Sequence, residues 1–227
     1  IFEYIYFARP DSIINNKSVY EYRKNFGFQL AKESYVETDL VVPVPDSGVP
    51  AGIGYSEKAN KILELGIIRN HYVGRTFIEP TQQIRSFGVK LKHNINKTLI
   101  KGKSLTLIDD SLVRGTTSVK IVKMLYEAGA KEIHLRLACP PIKYPDFYGV
   151  DTPDIDELIA SKYNLESMRK FVNVKTLHFL SIKGLYKAMG YDERNSTYPQ
   201  FTDHYFTGDY PIQPEDITEK KLKLFKN

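Results

Sequence analysis

The 227-residue sequence has one cysteine, Cys139, and no tryptophan. A single thiol excludes an intrachain disulfide framework and any zinc site built from several cysteines. No apolar run is long enough to cross a bilayer, so no membrane role is expected. A basic-then-apolar leader is missing, and the chain opens IFEYIYFARP without Met. That reads as a fragment or processed chain, expected in the cytoplasm. An acidic excess is lacking too: 32 Lys and Arg against 27 Asp and Glu give a formal +5 at pH 7. Such a balance suits a nucleic-acid surface or a small polyanionic substrate. The cations are spread along the chain rather than gathered in a stripe or known module, so nucleic acid is not expected as a partner. The densest run, EKKLKLFK, belongs to a basic C-terminal tail at residues 212–227.

What is present is an ordinary core-forming composition, 42% hydrophobic and 26% charged, on a length that favours one domain. That domain is expected over residues 1–211. FEYIYF, rich in aromatic and β-branched residues, reads as a strand, and ARPDS as a turn. Val19, Tyr22, Phe26 and Leu30 have helical spacing within residues 17–33, despite Gly27. DLVVPVP then reads as a buried strand, DSG as a turn, and VPAGIGYSEKANKILEL as a helix. Ile67 and Ile68 suggest a short strand. Residues 71–98 are polar and basic without a period, and a long structureless stretch in a compact domain is usually functional or wrongly assigned. Strand 104–108, helix 116–128, and strand 132–138 follow. Short helices near 154–170, a strand at 174–180 and a helix at 182–189 complete the pattern. Alternating strands and helices imply an α/β fold with a parallel sheet flanked by helices.

The chemistry concentrates in SLTLIDDSLVRGTTS, residues 104–118. An apolar strand delivers Asp109 and Asp110 to its C-terminal edge, where open α/β sheets bind ligands. Gly115, Thr116, Thr117 and Ser118 then open a helix. Glycine permits a sharp turn, hydroxyls can donate, and the first helical N–H groups have no intrahelical partner, which together suit a phosphate monoester. Acids beside a phosphate nest point to a ligand with both hydroxyls and phosphate, such as a sugar phosphate. Taken singly, Asp-Asp after a strand is often only a turn, and Thr-Thr-Ser an ordinary cap. Their joint order is more specific. Gly102-Lys103-Ser104 lacks the upstream glycine of a nucleotide-binding P-loop and leads into a strand, so it is set aside. His71, His93, His134, His178 and His204 have no metal-ligand spacing.

IDDSLVRGTTS resembles the 5-phosphoribosyl-1-pyrophosphate (PRPP) motif of the type I phosphoribosyltransferases. FEYIYFARPDS, VVPVPDSGVPAGIGYS, HYVGRTFIEPTQQIR, FYGVDTP and FTGDYP are similar, in order, to segments of the amidophosphoribosyltransferase (glutamine PRPP amidotransferase) family. The resemblance implies a type I phosphoribosyltransferase fold with a small hood-like accessory region. It implies a Mg²⁺-dependent transferase in which ammonia attacks PRPP, giving 5-phosphoribosylamine and pyrophosphate, the first step of purine biosynthesis. Asp109 and Asp110 would meet the ribose hydroxyls and help hold Mg²⁺. Ser111 would bind PRPP, and Arg114, Gly115, Thr116, Thr117 and Ser118 would cradle its 5-phosphate. Asp46, Ser47 and Gly48 match the pyrophosphate-side turn, with Ser47 at a metal-associated position. Tyr72, Arg75 and Lys92, with Arg69 before them, match a loop that closes over PRPP and faces the leaving pyrophosphate.

The same resemblance implies a glutaminase domain in the complete enzyme, purine nucleotides as feedback inhibitors, and a homo-oligomer. The nucleophilic cysteine that opens the glutaminase has no counterpart here, and Cys139 is expected to be a buried structural thiol, leaving free ammonia as the nitrogen source. One branch of the family holds an iron–sulfur cluster on four cysteines. The matching positions are the one before Ile1, then Asp146, Thr202 and Tyr205; none of these three is a thiolate, so no cluster is expected. The alternative is a PRPP- or nucleotide-sensing domain without catalysis. Arg75 and Lys92, of little use to a sensor, weigh against it.

Overall fold

The computed structural model describes residues 1–70, 92–150, 152 and 154–212. The chain begins with a π-helical turn, Glu3–Phe7, and a two-residue hairpin of β1 (Ile13–Ile14) and β2 (Lys17–Ser18). Helix α1 (Val19–Ser34) leads to β3 (Leu40–Pro43), α2 (Val49–Ala59) and β4 (Ile67–Arg69). Next come β5 (His93–Ile95), the short α3 (Lys97–Ile100), β6 (Ser104–Asp109), α4 (Thr116–Glu127) and β7 (Glu132–Leu137). A 3₁₀ turn (Ile155–Glu157), α5 (Ile159–Lys162), α6 (Leu165–Val172), β8 (Thr176–Phe179), α7 (Ile182–Ala188) and α8 (His204–Thr207) finish it.

Four strands, in the order β3-β6-β7-β8, make an all-parallel sheet. Parallel sheets need cover on both faces, and the strand sequences comply: all of β3 and all of β6 after Ser104 are buried. Alternate residues enter different cores. Val41 and Ile108 join Phe26, Leu30, Tyr55 and Leu185 beneath α1, α2 and α7. Val42, Leu105 and Leu107 join Ile121, Leu125 and Val172 beneath α4 and α6. The helical spacing of Val19, Tyr22, Phe26 and Leu30 marks the buried face of α1, capped by the Ser18 hydroxyl accepting from the Glu21 N–H.

FEYIYF is not the expected strand. Tyr4 and Ile5 are buried side by side while Tyr6 and Phe7 are exposed, a wound rather than an alternating pattern. The cause lies in α1. The buried Arg23 guanidinium donates to Tyr4 O at 2.9 Å, Ala8 O at 2.7 Å and Glu3 O at 3.4 Å, and Ala8 N–H closes the turn onto Glu3 O. Strand propensity yields to a buried cation that needs convergent carbonyls.

The helix expected to run to residue 65 ends at Ala59, because Asn60 takes a left-handed conformation (φ 51°) and caps it. Val41 then bridges to Leu63, beside the sheet edge. Residues 92–98 of the polar stretch are ordered as β5, which pairs antiparallel with β4, and the start of α3. Residues 71–91 and the tail from 213 lie outside the described residues. No helix among the described residues is long and apolar enough to cross a membrane.

Candidate functional site

The C-terminal edge of β3 and β6 collects most of the described candidate residues. Asp109 ends β6 and Asp110 follows; both carboxylates are buried. Asp110 N–H donates to Asp109 Oδ1 at 2.9 Å, and the Ser111 hydroxyl donates to Asp110, with the Ser47 hydroxyl near enough to lower its pKa. The segment after β3 is held to the end of β6 by Val44 N–H donating to Ile108 O at 2.8 Å. Gly48 makes this possible: a Cβ there would stand 2.7 Å from Ile108 O, 2.8 Å from Val44 O and 3.2 Å from Asp109 Cα. Any side chain would push the turn off the strand end.

Burial raises the pKa of Asp109 well above the usual carboxylate range, and the neighbouring Asp110 raises it further. Asp110 is also raised by burial, against the hydroxyls of Ser111 and Ser47 and the positive charge of Arg23. Two like charges held out of water disfavour each other's ionised form. The donor set of two carboxylates and a hydroxyl is oxygen-only, which suits a hard divalent ion supplemented by ligand phosphates and water.

Beyond the pair, Gly115 adopts a left-handed conformation (φ 76°) that turns the chain into α4. No side chain caps this end, and Val119 N–H is bonded to Gly115 O at 3.0 Å. Thr116 and Thr117 are exposed and Ser118 buried, all within the first turn, where N–H groups face outward without helical acceptors. The Arg114 guanidinium pairs with Glu157.

On the opposite side, Arg69 forms an ion pair with Asp46, joining the end of β4 to the turn at residues 46–48. Lys92 O accepts from Asn70 N–H at 2.8 Å, which brings the main chain of Lys92 next to the end of β4. Tyr72 and Arg75 lie outside the described residues. Cys139 is fully buried, and burial, with the charges of Asp110 and Asp109, pushes its thiol pKa well up. This is an inert environment.

The positions matched to cluster cysteines also meet. The Ile1 main-chain nitrogen donates to Thr202 O at 3.1 Å, His204 Nε2 is 2.8 Å from Asp146 Oδ1, and the Tyr205 hydroxyl and His204 help lower the Asp146 pKa against its burial. Of the histidines expected at the surface or in packing, His134 and His204 are both buried.

Arg23 was not among the candidates, although it binds the N-terminal turn and its charge reaches Asp110. Its sequence signal is a cation next to Tyr22 on the apolar stripe of α1, where a solvated residue has no place.

No protein-family model matches the chain. Curated proteins and solved structures do. An amidophosphoribosyltransferase of Rhizobium etli is 62% identical over 214 residues, covering 94% of this chain and 43% of that protein. The chloroplastic enzyme of Glycine max is 52% identical over 98% of this chain, and the Bacillus subtilis enzyme 49% over 93%. The solved structure of glutamine PRPP amidotransferase from B. subtilis, complexed with ADP and GMP, superposes with a TM-score of 0.85 at 47% identity, covering 97% of this chain and 49% of that one. Over nearly its whole length the chain matches the C-terminal region of amidophosphoribosyltransferases. It spans less than half the length of these curated relatives. The parallel sheet with its flanking helices is the type I phosphoribosyltransferase fold of the family.

Proposed function

We propose that this chain binds PRPP and transfers its phosphoribosyl group to ammonia, as the phosphoribosyltransferase half of an amidophosphoribosyltransferase. The observation that carries this reading is the buried Asp109–Asp110 pair, with the turn at Gly48 packed against it on one side and the uncapped start of α4 following on the other. The carboxylates accept from the ribose hydroxyls, and the first turn of α4 with Thr116, Thr117 and Ser118 receives the 5-phosphate. The turn at residues 46–48, with Arg69 beside it, faces the pyrophosphate, and the charge on that group is assigned also to Lys92 and to Tyr72 and Arg75, which lie outside the described residues. The ammonia lone pair forms the new bond at C1 while the C1–O bond breaks, its electrons leave with pyrophosphate, and the attacking nitrogen loses a proton. Asp109, Asp110 and Ser47 are the residues that would hold Mg²⁺, whose charge neutralises the departing phosphates. Cations around the pyrophosphate side serve the same end.

Among these 227 residues the one thiol is the inert Cys139. We therefore assign glutamine hydrolysis to residues outside this chain and ammonia as its own nitrogen source. The Asp146, Thr202 and Tyr205 neighbourhood offers carboxylate, imidazole and phenol rather than thiolates, which is not a donor set for an iron–sulfur cluster. Binding of ADP and GMP by the B. subtilis relative supports purine nucleotides as inhibitors of this chain too. A cytoplasmic homo-oligomer is the setting we assign.

The test is pyrophosphate release from PRPP at matched Mg²⁺, with ammonia and with glutamine as alternative nitrogen sources. Release with ammonia and none with glutamine is the expected result. PRPP binding without release would favour the sensing domain instead, and glutamine-dependent product would refute the assignment of hydrolysis elsewhere.

A further inference from the structure

Three consecutive residues at the entry to α4 are held from outside by the connection between β7 and β8. Ile159 N–H donates to Val113 O at 2.9 Å. Arg114 Nε donates to Glu157 Oε2 at 2.9 Å, with a second guanidinium nitrogen at 2.5 Å. At Gly115 the approach is by side chains: a Cβ there would lie 3.0 Å from Ile159 Cδ1 and 3.1 Å from Phe171 Cε1. Phe171 in turn stacks on Tyr163, with centroids 6.3 Å apart and planes at 18°.

Exposure makes this arrangement informative. Phe171 and Tyr163 remain 45% and 46% exposed, so core packing does not account for the position of either ring. The edge of the Phe171 ring lies at Gly115, with Tyr163 stacked on it. Glycine reaches a left-handed conformation without steric cost, and for the same reason leaves it easily. A glycine turn that must aim several N–H groups at one anion needs a wall to hold it.

We propose that Ile159 and Phe171 are positioning residues for the 5-phosphate subsite. Closing on Gly115 from outside, they hold the left-handed turn so that the first-turn N–H groups of α4 converge on a phosphate monoester. This rests on the reading of residues 114–118 as the phosphate loop. Neither side chain touches the ligand; both act through Gly115.

Ribose 5-phosphate and pyrophosphate, each titrated calorimetrically into the chain with Mg²⁺, separate the subsites. Phe171→Ala is expected to weaken ribose 5-phosphate binding about fivefold while pyrophosphate binding stays within about twofold. Phe171→Leu, which restores an apolar wall, is expected to recover most of the loss. Unchanged ribose 5-phosphate affinity in Phe171→Ala overturns the proposal, as does an equal loss for both ligands or a Leu variant no better than Ala. Thr116→Ala, run in parallel, tests the underlying assignment. If it binds ribose 5-phosphate like the parent, the phosphate-loop reading itself fails; if it alone weakens binding, only the bracing role fails.

Discussion

Asp109→Asn combined with Asp110→Asn is expected to abolish pyrophosphate release from PRPP and, at neutral pH, to stabilise the ligand-free chain. The activity loss follows from removing both charged acceptors from the ribose side and both carboxylates from the cation site, and should be about a thousandfold or more. The stability gain follows from burial. Both folded-state pKa values are raised above the ordinary 3.8. A raised pKa means that the protonated pair's contribution to stability is complete below pH 3.8 and is lost as pH rises through the folded values. At pH 7 the parent lacks that contribution, whereas asparagine mimics the neutral form at every pH. Thermal melts of both proteins from pH 4 to 8 should show the variant ahead at neutral pH and the gap narrowing towards acid. A variant less stable than the parent at pH 7, or one that still turns over PRPP at the parent rate, would sink this assignment of the pair. Stability given up at a site for charge is what a functional carboxylate pair looks like.

The largest stability loss is expected from Gly27→Ala. In an isolated helix this change would help by about 1 kcal/mol, because alanine is the better helix former. Here the sign reverses. A Cβ on Gly27 would lie 1.8 Å from Ala51 O, and one on Gly54 would lie 1.8 Å from Lys24 O. Both obstacles are backbone atoms, which cannot rotate aside. Helices α1 and α2 thus cross at two glycines, and separating them would also move β3, on which the turn at residues 46–48 depends. Overpacking at such a contact costs about 3 kcal/mol net of propensity. For a domain of this size that corresponds to roughly 10 °C in melting temperature. Gly54→Ala should behave alike, and the double variant should lose less than the two single losses summed, since one separation relieves both clashes. Melting unchanged or raised in either single variant would show that the helices do not meet at these residues.

Legibility along the chain followed the kind of information each segment needed. The strands at residues 40–43, 104–109 and 132–137 could be read because their faces are buried, so residues 40–43 are apolar throughout and Leu105, Leu107 and Ile108, then Ile133, Leu135 and Leu137, recur in the other two. The acid pair and the glycine-threonine-serine turn were also readable, since their chemistry is local and contiguous. FEYIYF was misread as a strand because its winding depends on Arg23, 19 residues from Tyr4. The helix after residue 49 was read too long because a left-handed Asn60 is a subtle stop. The pairing of Arg114 with Glu157, 43 residues away, has no local signal either.

The sequence by itself determined the fold class, the motif at residues 104–118 and the family resemblance, because these reside in local periodicity and in contiguous residue types. Only the tertiary structure decided how the pieces act on one another. It seats Gly48 against the end of β6, buries the two acids so that both pKa values rise, and brings Arg23, Ile159 and Phe171 to bear on a site none of them adjoins in the chain. Desolvation and close approach are properties of packed surfaces, and a linear pattern carries neither.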